Sequence, residues 1–498
     1  MVVVLGGCAL QPDSFGSPKP QIPAKWAAYR SGLAPPVSQN WPELFRSREL
    51  TILSRLALEG NLDLDAAAAR ILQADAQAVI AGSALYPQIN ADGNASRWRS
   101  PGTLRSLSPP FRATHANNFR FGLTVSYALD FWGRNARLAE AGKLSAAASR
   151  FDYDTVALTT LVSLSNAYFQ ILLAQDRLRI ARGNIRTAAQ TLAAIRARVA
   201  VGTNTALDVA QQQSILANQR ANVPVLEQQL QQNRNTAAVL LGRAPASMRI
   251  RGGGLRCLYL PRIRPGLPSQ LLLRRPDIAA AEARLKAAGA NITAARSALY
   301  PAITLTGETN LASLALRNLL RPDAIGAAIA GSLAQSIFSG YNLQGQVELA
   351  RSRRRELLAT YHKTVINALA EVENALVAVG KSARQEALRA QAVRSARIAS
   401  QITAQRLREG TIDVVTLLST QQTLFNAEDA LSLARFQRLQ AIVSLFQALG
   451  GGFTMDKSLM KAESGQTENA GKMRPAGILF FLRGNAGTAR PASAGDWP

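Results

Sequence analysis

The chain is 498 residues long, carries a formal net charge of +25, and is only 6% aromatic. Ala, Leu, Arg and Gln fill long Pro-free stretches, which is the composition of long helices rather than of several compact cores. Mean hydropathy is near zero and no run of about 18 apolar residues occurs, so no transmembrane helix is expected and any membrane contact must come from strands or a lipid. The positive charge is dispersed; its densest cluster, Arg351, Arg353, Arg354 and Arg355, lies in a helical pattern without a nucleic-acid-binding motif, and no nucleic acid partner is expected. Two histidines, His115 and His362, are too few for a His-based metal or triad site. Gly380-Lys381-Ser382 fails as a phosphate loop because Ala375 stands where that motif needs glycine and the stretch is mid-helix. An enzyme is not expected. Two cysteines, Cys8 and Cys257, exclude a disulfide framework.

Residues 1–8 end in Leu5-Gly6-Gly7-Cys8, a four-residue match to the lipobox of bacterial lipoprotein signal peptides. The basic segment and longer apolar stretch of a complete signal peptide are missing, so the reading frame is expected to begin further upstream. With Ala9 rather than Asp after the cysteine, a lipidated Cys8 implies sorting to the outer membrane. Residues 9–40 are Pro-rich and expected to be extended.

The rest of the chain is a duplication. Ser83-Ala84-Leu85-Tyr86-Pro87 returns 214 residues later as Ser297-Ala298-Leu299-Tyr300-Pro301; Phe131 and Gly133 return after 207 as Phe338 and Gly340; Gly202-Thr203 and Leu241-Gly242 return after 208 as Gly410-Thr411 and Leu449-Gly450. Landmarks in one order at nearly one offset mark an internal repeat. Residues 41–242 and 270–452 are therefore read as two copies, joined by a Gly/Pro/Arg linker at 243–269.

Each copy opens with a helix, near 63–85 and 275–299, that the Tyr-Pro pair ends, because the residue before proline is pushed out of the helical region. Strands follow. Over 119–131, Phe119, Phe121, Leu123, Val125, Tyr127, Leu129 and Phe131 alternate with polar or small residues, a period of two with one apolar face. Residues 303–311 alternate likewise, and 88–98 and 325–338 are weaker strands. An ordinary half-buried sheet would show the same alternation. The strand lengths suit a bilayer crossing, and flanking helices this long leave no compact domain to cover the apolar face, which lipid can cover. Helices then run over about 134–200 and 341–408, each about 100 Å at about 1.5 Å per residue. They turn at Gly202 and Gly410 and return through 205–242 and 413–449. Val209, Leu216, Val223, Leu230 and Ala237 step by seven in the first return helix, as do Leu417, Leu424 and Leu431 in the second, a coiled-coil signature. Pro224 is expected to kink the first. Residues 453–498 lack periodicity and are expected to be disordered.

Across about 26–452 these residues resemble the TolC-type outer-membrane efflux proteins, in their lipoprotein branch known as the NodT family. The resemblance rests on the doubled Ala-Leu-Tyr-Pro, the junction Leu129-Asp130-Phe131-Trp132-Gly133-Arg134, the two Gly-Thr tips, Leu267-Pro268-Ser269 before Arg274-Arg275-Pro276-Asp277-Ile278, and Ala448-Leu449-Gly450-Gly451-Gly452. It implies a mainly α chain with membrane β: a homotrimer whose twelve-stranded barrel in the Gram-negative outer membrane continues as a periplasmic α-helical coiled-coil barrel. It implies a passive duct without cofactors, lipid-anchored, served by a periplasmic membrane-fusion adaptor and an inner-membrane pump of the resistance–nodulation–division type. The adaptor would dock on the tips, Arg198, Val201, Gly202 and Thr203 with Arg406, Glu409, Gly410 and Thr411. Related channels close by a carboxylate and a Leu one turn before it; here Val415 takes the Leu position, Ser419 the acidic one, and Gln422 stands where an Arg is often found, with Asp413 and Asp208 nearby to supply charge. The alternatives are a channel for type I protein secretion and a periplasmic coiled-coil protein without a pore, which would have no reason to expose the alternating apolar residues of 119–131.

Overall fold

The computed structural model describes residues 22–29, 38, 40–100, 114–247 and 250–453. Cys8, most of the Pro-rich segment and the stretch after 453 lie outside the described residues.

Two copies of one unit are plain in the element lengths. A short helix α1 (Arg48–Gly60) leads into α2 (Leu62–Ser83), strands β1 (Gln88–Ser100) and β2 (Thr114–Leu129), and helices α3 (Arg134–Ala200) and α4 (Ala206–Leu240). The second copy has α5 (Pro276–Ser297), β3 (Ala302–Ser313), β4 (Ile325–Ala334), α6 (Asn342–Arg408) and α7 (Val414–Ala448). The paired helices match residue for residue: 22 in α2 and α5, 67 in α3 and α6, and 35 in α4 and α7. The expected helix boundaries agree with these to within a few residues. The strand boundaries agree less well. β2 begins at Thr114 and ends at Leu129, before Phe131, because Asp130 leaves the sheet to accept from the amides of Asn135 and Ala136 at 3.0 and 2.8 Å and so caps α3. β4 stops at Ala334, four residues short of Phe338, where the Gln335 amide turns to the carbonyls of Leu299 and Ser336, each at 3.2 Å.

The four strands form one antiparallel sheet in the order β1-β2-β3-β4. The central β2–β3 pair joins the two copies, and β1 and β4 are free edges. In the register, Ile89 faces Val125, Tyr127 faces Leu305, and Leu305 faces Gly331, whereas Asn90 faces Thr124, Ser126 faces Thr306 and Thr304 faces Ser332. Directly opposed residues share a face, so one face of the sheet is apolar and the other polar, except at the far end of β1, where Arg97 and Arg99 fall on the first face and Trp98 on the second. The apolar face is uncovered: Phe121, Ile325, Ile329 and Leu333 are exposed.

The helices pack beside one another beneath the sheet, α3 against α2, α4, α5 and α7, and α6 against α5 and α7. The main core lies at half height. Trp41 stacks on Phe446 at 5.0 Å, Phe45 meets Phe169 edge-on at 5.2 Å, and all four rings are buried where α1, the middle of α3 and the end of α7 converge. One 18-residue stretch of α3 is apolar enough by composition to span a bilayer, contrary to expectation. Most of it is buried in the fold, and the residues of α3 in this core account for that apolarity. Pro224 does not break α4, which continues through it to Leu240. Pro224 and Arg220, whose carbonyl loses its donor, are both exposed, so water can satisfy what the proline removes. The linker carries short 3-10 turns at Pro245–Ser247, Leu255–Cys257 and Pro268–Leu273. It is strapped down where Glu49 accepts from the amides of Arg251 and Gly252 at 2.8 and 3.0 Å and Asp176 from that of Leu255 at 2.9 Å.

Candidate functional site

The two helical hairpins end in copies of one turn. At the first, Thr203 N–H donates to the Arg198 carbonyl at 2.9 Å and Gly202 N–H to that of Val199 at 3.0 Å. At the second, Thr411 N–H reaches the Arg406 carbonyl at 3.0 Å and Gly410 N–H that of Leu407 at 3.2 Å. Gly202 and Gly410 take φ of +78° and +77°, the left-handed conformation that ends a helix and suits glycine. Both threonines also return their hydroxyls to the same carbonyls, at 3.0 and 3.1 Å.

The next helices start on matched caps. Thr205 and Asp208 form a capping box at α4, with Thr205 N–H donating to Asp208 Oδ2 at 2.8 Å. Asp413 caps α7, accepting from Thr416 N–H at 2.9 Å and its hydroxyl at 2.5 Å. These bonds hold both carboxyls below the usual carboxylate range, the first through the Thr205 backbone and the second through the Thr416 hydroxyl and amide. A depressed folded-state pKa stabilises above the unfolded value, about 3.9, and that stabilisation is lost as pH falls through the depressed one. Acidification from pH 7 to about 2 is therefore expected to lower the amide-exchange protection factors, taken against the intrinsic rate at each pH, in the first turns of α4 and α7 before their middles. The double variant Asp208→Asn, Asp413→Asn should lose that pH dependence; protection that falls evenly along both helices would contradict it.

The tips are tied together. Arg198 Nη2 donates to the Leu407 carbonyl at 2.5 Å, and Ile195, Val414 and Leu418 form a small shared core with Val199, Val209 and Leu407 around it. Val201, Gly202, Thr203, Arg406, Glu409, Gly410 and Thr411 stay exposed around this joint, and Glu409 accepts from Gln405 at 3.0 Å.

On α7, Val414, Leu417, Leu418, Gln421 and Phe425 are buried against the neighbouring helices. Val415 and Ser419 lie on the opposite side, both exposed, with Gln422 half-buried three residues on. Spacings of three and four put them in one row along the helix. Gln422 donates to Asn426 at 2.9 Å and borders a 210 Å³ polar cavity between α3, α4 and α7. That cavity is also lined by Arg177, which grips Asp429 with two bonds at 2.6 and 3.1 Å. The sequence reading passed over this pair and over the polar seam residues. Gln212 is fully buried and donates to the Ala188 carbonyl at 2.7 Å, and Gln421 donates to Thr191 at 3.3 Å. The signal for them was present: Gln212, Gln219 and Leu226 also step by seven, three residues after Val209, Leu216 and Val223.

A profile of the family described as "Outer membrane efflux protein" matches residues 53–243 and 267–451. The pyoverdine export outer membrane protein OpmQ of Pseudomonas putida is 38% identical over 440 residues, spanning 87% of this chain and 93% of the relative. The cation efflux system protein CusC of Escherichia coli is 30% identical over 464 residues, 91% of this chain and 97% of the relative. Among solved structures, the outer-membrane channel OprN superposes with a TM-score of 0.82 at 26% identity, over 88% of this chain and 98% of OprN. A match that takes in both copies of the repeat, with relatives similar over nearly their whole length, makes this chain a member of the outer membrane efflux protein family.

Proposed function

We propose that the chain is one of three identical subunits of an outer-membrane efflux channel, and that it conducts small molecules passively from a periplasmic adaptor and an inner-membrane pump to the outside. The observation that carries this is the four-stranded sheet with an uncovered apolar face and two free edges, mounted on 67-residue helices. Free backbone groups at β1 and β4 cannot face lipid. Pairing β4 of one copy with β1 of the next, three times over, closes twelve strands and leaves no edge. The exposed tip residues are then placed for the adaptor, with Arg198 holding the two hairpins in one docking surface. A lipid on Cys8 would add an anchor. The relatives are named for pyoverdine export and for cation efflux, so the duct alone does not choose the cargo.

The row Val415–Ser419 is the proposed constriction. Ser419 brings no charge, so what charge selectivity the entrance has comes from Asp413. The processed protein, extracted from membranes and placed in a planar bilayer, is expected to conduct. Its block by a divalent cation should be weak, lost in Asp413→Asn, whose side chain still caps a helix, and unchanged in Ser419→Ala. Block that vanishes only in Ser419→Ala would take the cation site away from Asp413; full recovery of the processed protein in the soluble periplasm would overturn the channel.

A further inference from the structure

The register of the sheet also fixes which charges line the strand section. Counted along the four strands, the polar face carries amides, hydroxyls, glycines and alanines with Trp98 near the end of β1, and among its described residues only Asp92, Arg120 and Glu308 ionise. Two carboxylates and one guanidinium give this face a formal charge of −1 per chain, within a protein whose total is +25.

The three are arranged unequally. Asp92 lies opposite Gly122, which lies opposite Asn310, itself opposite Gly326. Arg120 and Glu308 sit two residues to either side of that row, on adjacent strands. They nevertheless form an ion pair. Gly122 permits this: with no side chain at the crossing point, the guanidinium can reach over it. A Cβ at Gly122 would stand 3.1 Å from both the Asn310 Cβ and the Thr309 carbonyl oxygen. Asn310 Nδ2 donates to Glu308 Oε1 at 2.9 Å and holds the acceptor in place. Arg120 is thus committed to Glu308, and Asp92, exposed on the edge strand β1, remains as the charge that no cation on this face answers.

We infer that Asp92 gives the strand section of the pore a preference for cations, and that the Arg120–Glu308 pair limits that preference by neutralising a second carboxylate. The inference rests on the channel reading above, which makes the polar face the lumen. In a trimer, the Asp92 side chains form a ring of three at one level of the barrel wall.

The charge count orders a set of variants. Arg120→Ala leaves two carboxylates, wild type one net negative charge, Asp92→Asn and Glu308→Gln none, and Asp92→Lys one net positive charge per chain. The cation-to-anion permeability ratio, from the zero-current potential in a KCl gradient, is expected to fall in that order. Adjacent steps should differ by about threefold at about 10 mM salt, where the screening length is about 30 Å, and converge at about 1 M, where it is about 3 Å. The entrance at Asp413 is common to all of them and cancels from the comparison. Arg120→Ala and Asp92→Asn must move the ratio in opposite directions, so misfolding of one variant cannot imitate the result. Channels that conduct with one ratio throughout would overturn the inference and leave the channel reading standing. A wild-type protein that does not conduct would overturn the channel reading first.

Discussion

Arg275→Ala is expected to destabilise the chain by about 3 kcal/mol, because it removes a nearly buried guanidinium that makes charge-assisted hydrogen bonds to two carboxylates and a helix-end carbonyl. Arg275 is 8% exposed. Its guanidinium holds Asp277 with two bonds at 3.0 and 2.6 Å, reaches Glu371 on α6 at 2.7 Å, and donates to the Ala448 carbonyl at the end of α7 at 3.2 Å. One side chain therefore joins the start of α5, the middle of α6 and the end of α7. Without it, Asp277 and Glu371 are left without their shared cation and Ala448 loses a donor. Both carboxylates have some access to water, with side chains 30% and 54% exposed, which places the cost at the lower end of the about 3–5 kcal/mol range for breaking a buried pair. Arg275→Lys keeps the charge but cannot make the two-pronged contact, and should recover less than half of the loss. Chemical denaturation in detergent, followed by helical signal, reads both; a midpoint unmoved by Arg275→Ala would show that the cluster contributes specificity rather than stability.

Much of this fold was legible because its landmarks are backbone requirements. Pro87 and Pro301 end the short helices, Gly202 and Gly410 reverse the long ones, and each acts through its own φ or its neighbour's. The apolar alternation of β2 worked for the same reason, since a period of two admits one face only. What escaped notice depends on partners far along the chain. The α3–α5 seam is built of small residues, Ala141 and Ala148 on one helix and Ala280, Ala283 and Ala287 on the other, and alanines spread through a helical sequence do not announce which of them touch. In α7 the stripe through Leu417, Leu424 and Leu431 is only partly the buried one. Leu424 and Leu431 are half-buried, while Leu418, Phe425, Leu439 and Phe446, one residue further round, are buried. Apolar residues on both stripes left the choice to the neighbouring helices. At the tips, Asp208 and Asp413 looked like free charge near a constriction. Asp413 caps α7 and Asp208 completes the capping box of Thr205 at α4, so any field they supply to a pore comes from carboxylates already held by their own turns.

The sharpest test of the duplication is the joint that closes each copy. Asn61 and Arg275 precede α2 and α5 as their N-caps, and each donates to the last carbonyls of the return helix: Asn61 Nδ2 to Leu240 at 2.8 Å, Arg275 to Ala448 at 3.2 Å. Beside them the backbones touch. A Cβ on Gly242 would overlap the Gly60 carbonyl, and one on Gly450 the Arg274 carbonyl. Both glycines also have positive φ, +64° and +88°. Gly450→Ala and Gly242→Ala should each cost about 3 kcal/mol or more, with about 1–2 from the left-handed backbone and the rest from forcing two chain segments apart. Gly202→Ala and Gly410→Ala separate the two terms. Their φ values are similar, +78° and +77°, but a Cβ there meets nothing within 4 Å, so each should cost only about 1–2 kcal/mol. If the tip and joint substitutions proved equally damaging, backbone conformation alone would explain both, and the close approach at Gly60 and Arg274 would hold nothing together. If the joint variants are the worse pair, each repeat is closed by contact between its own first and last helices, and the sheet and tips are carried on two independently latched frames.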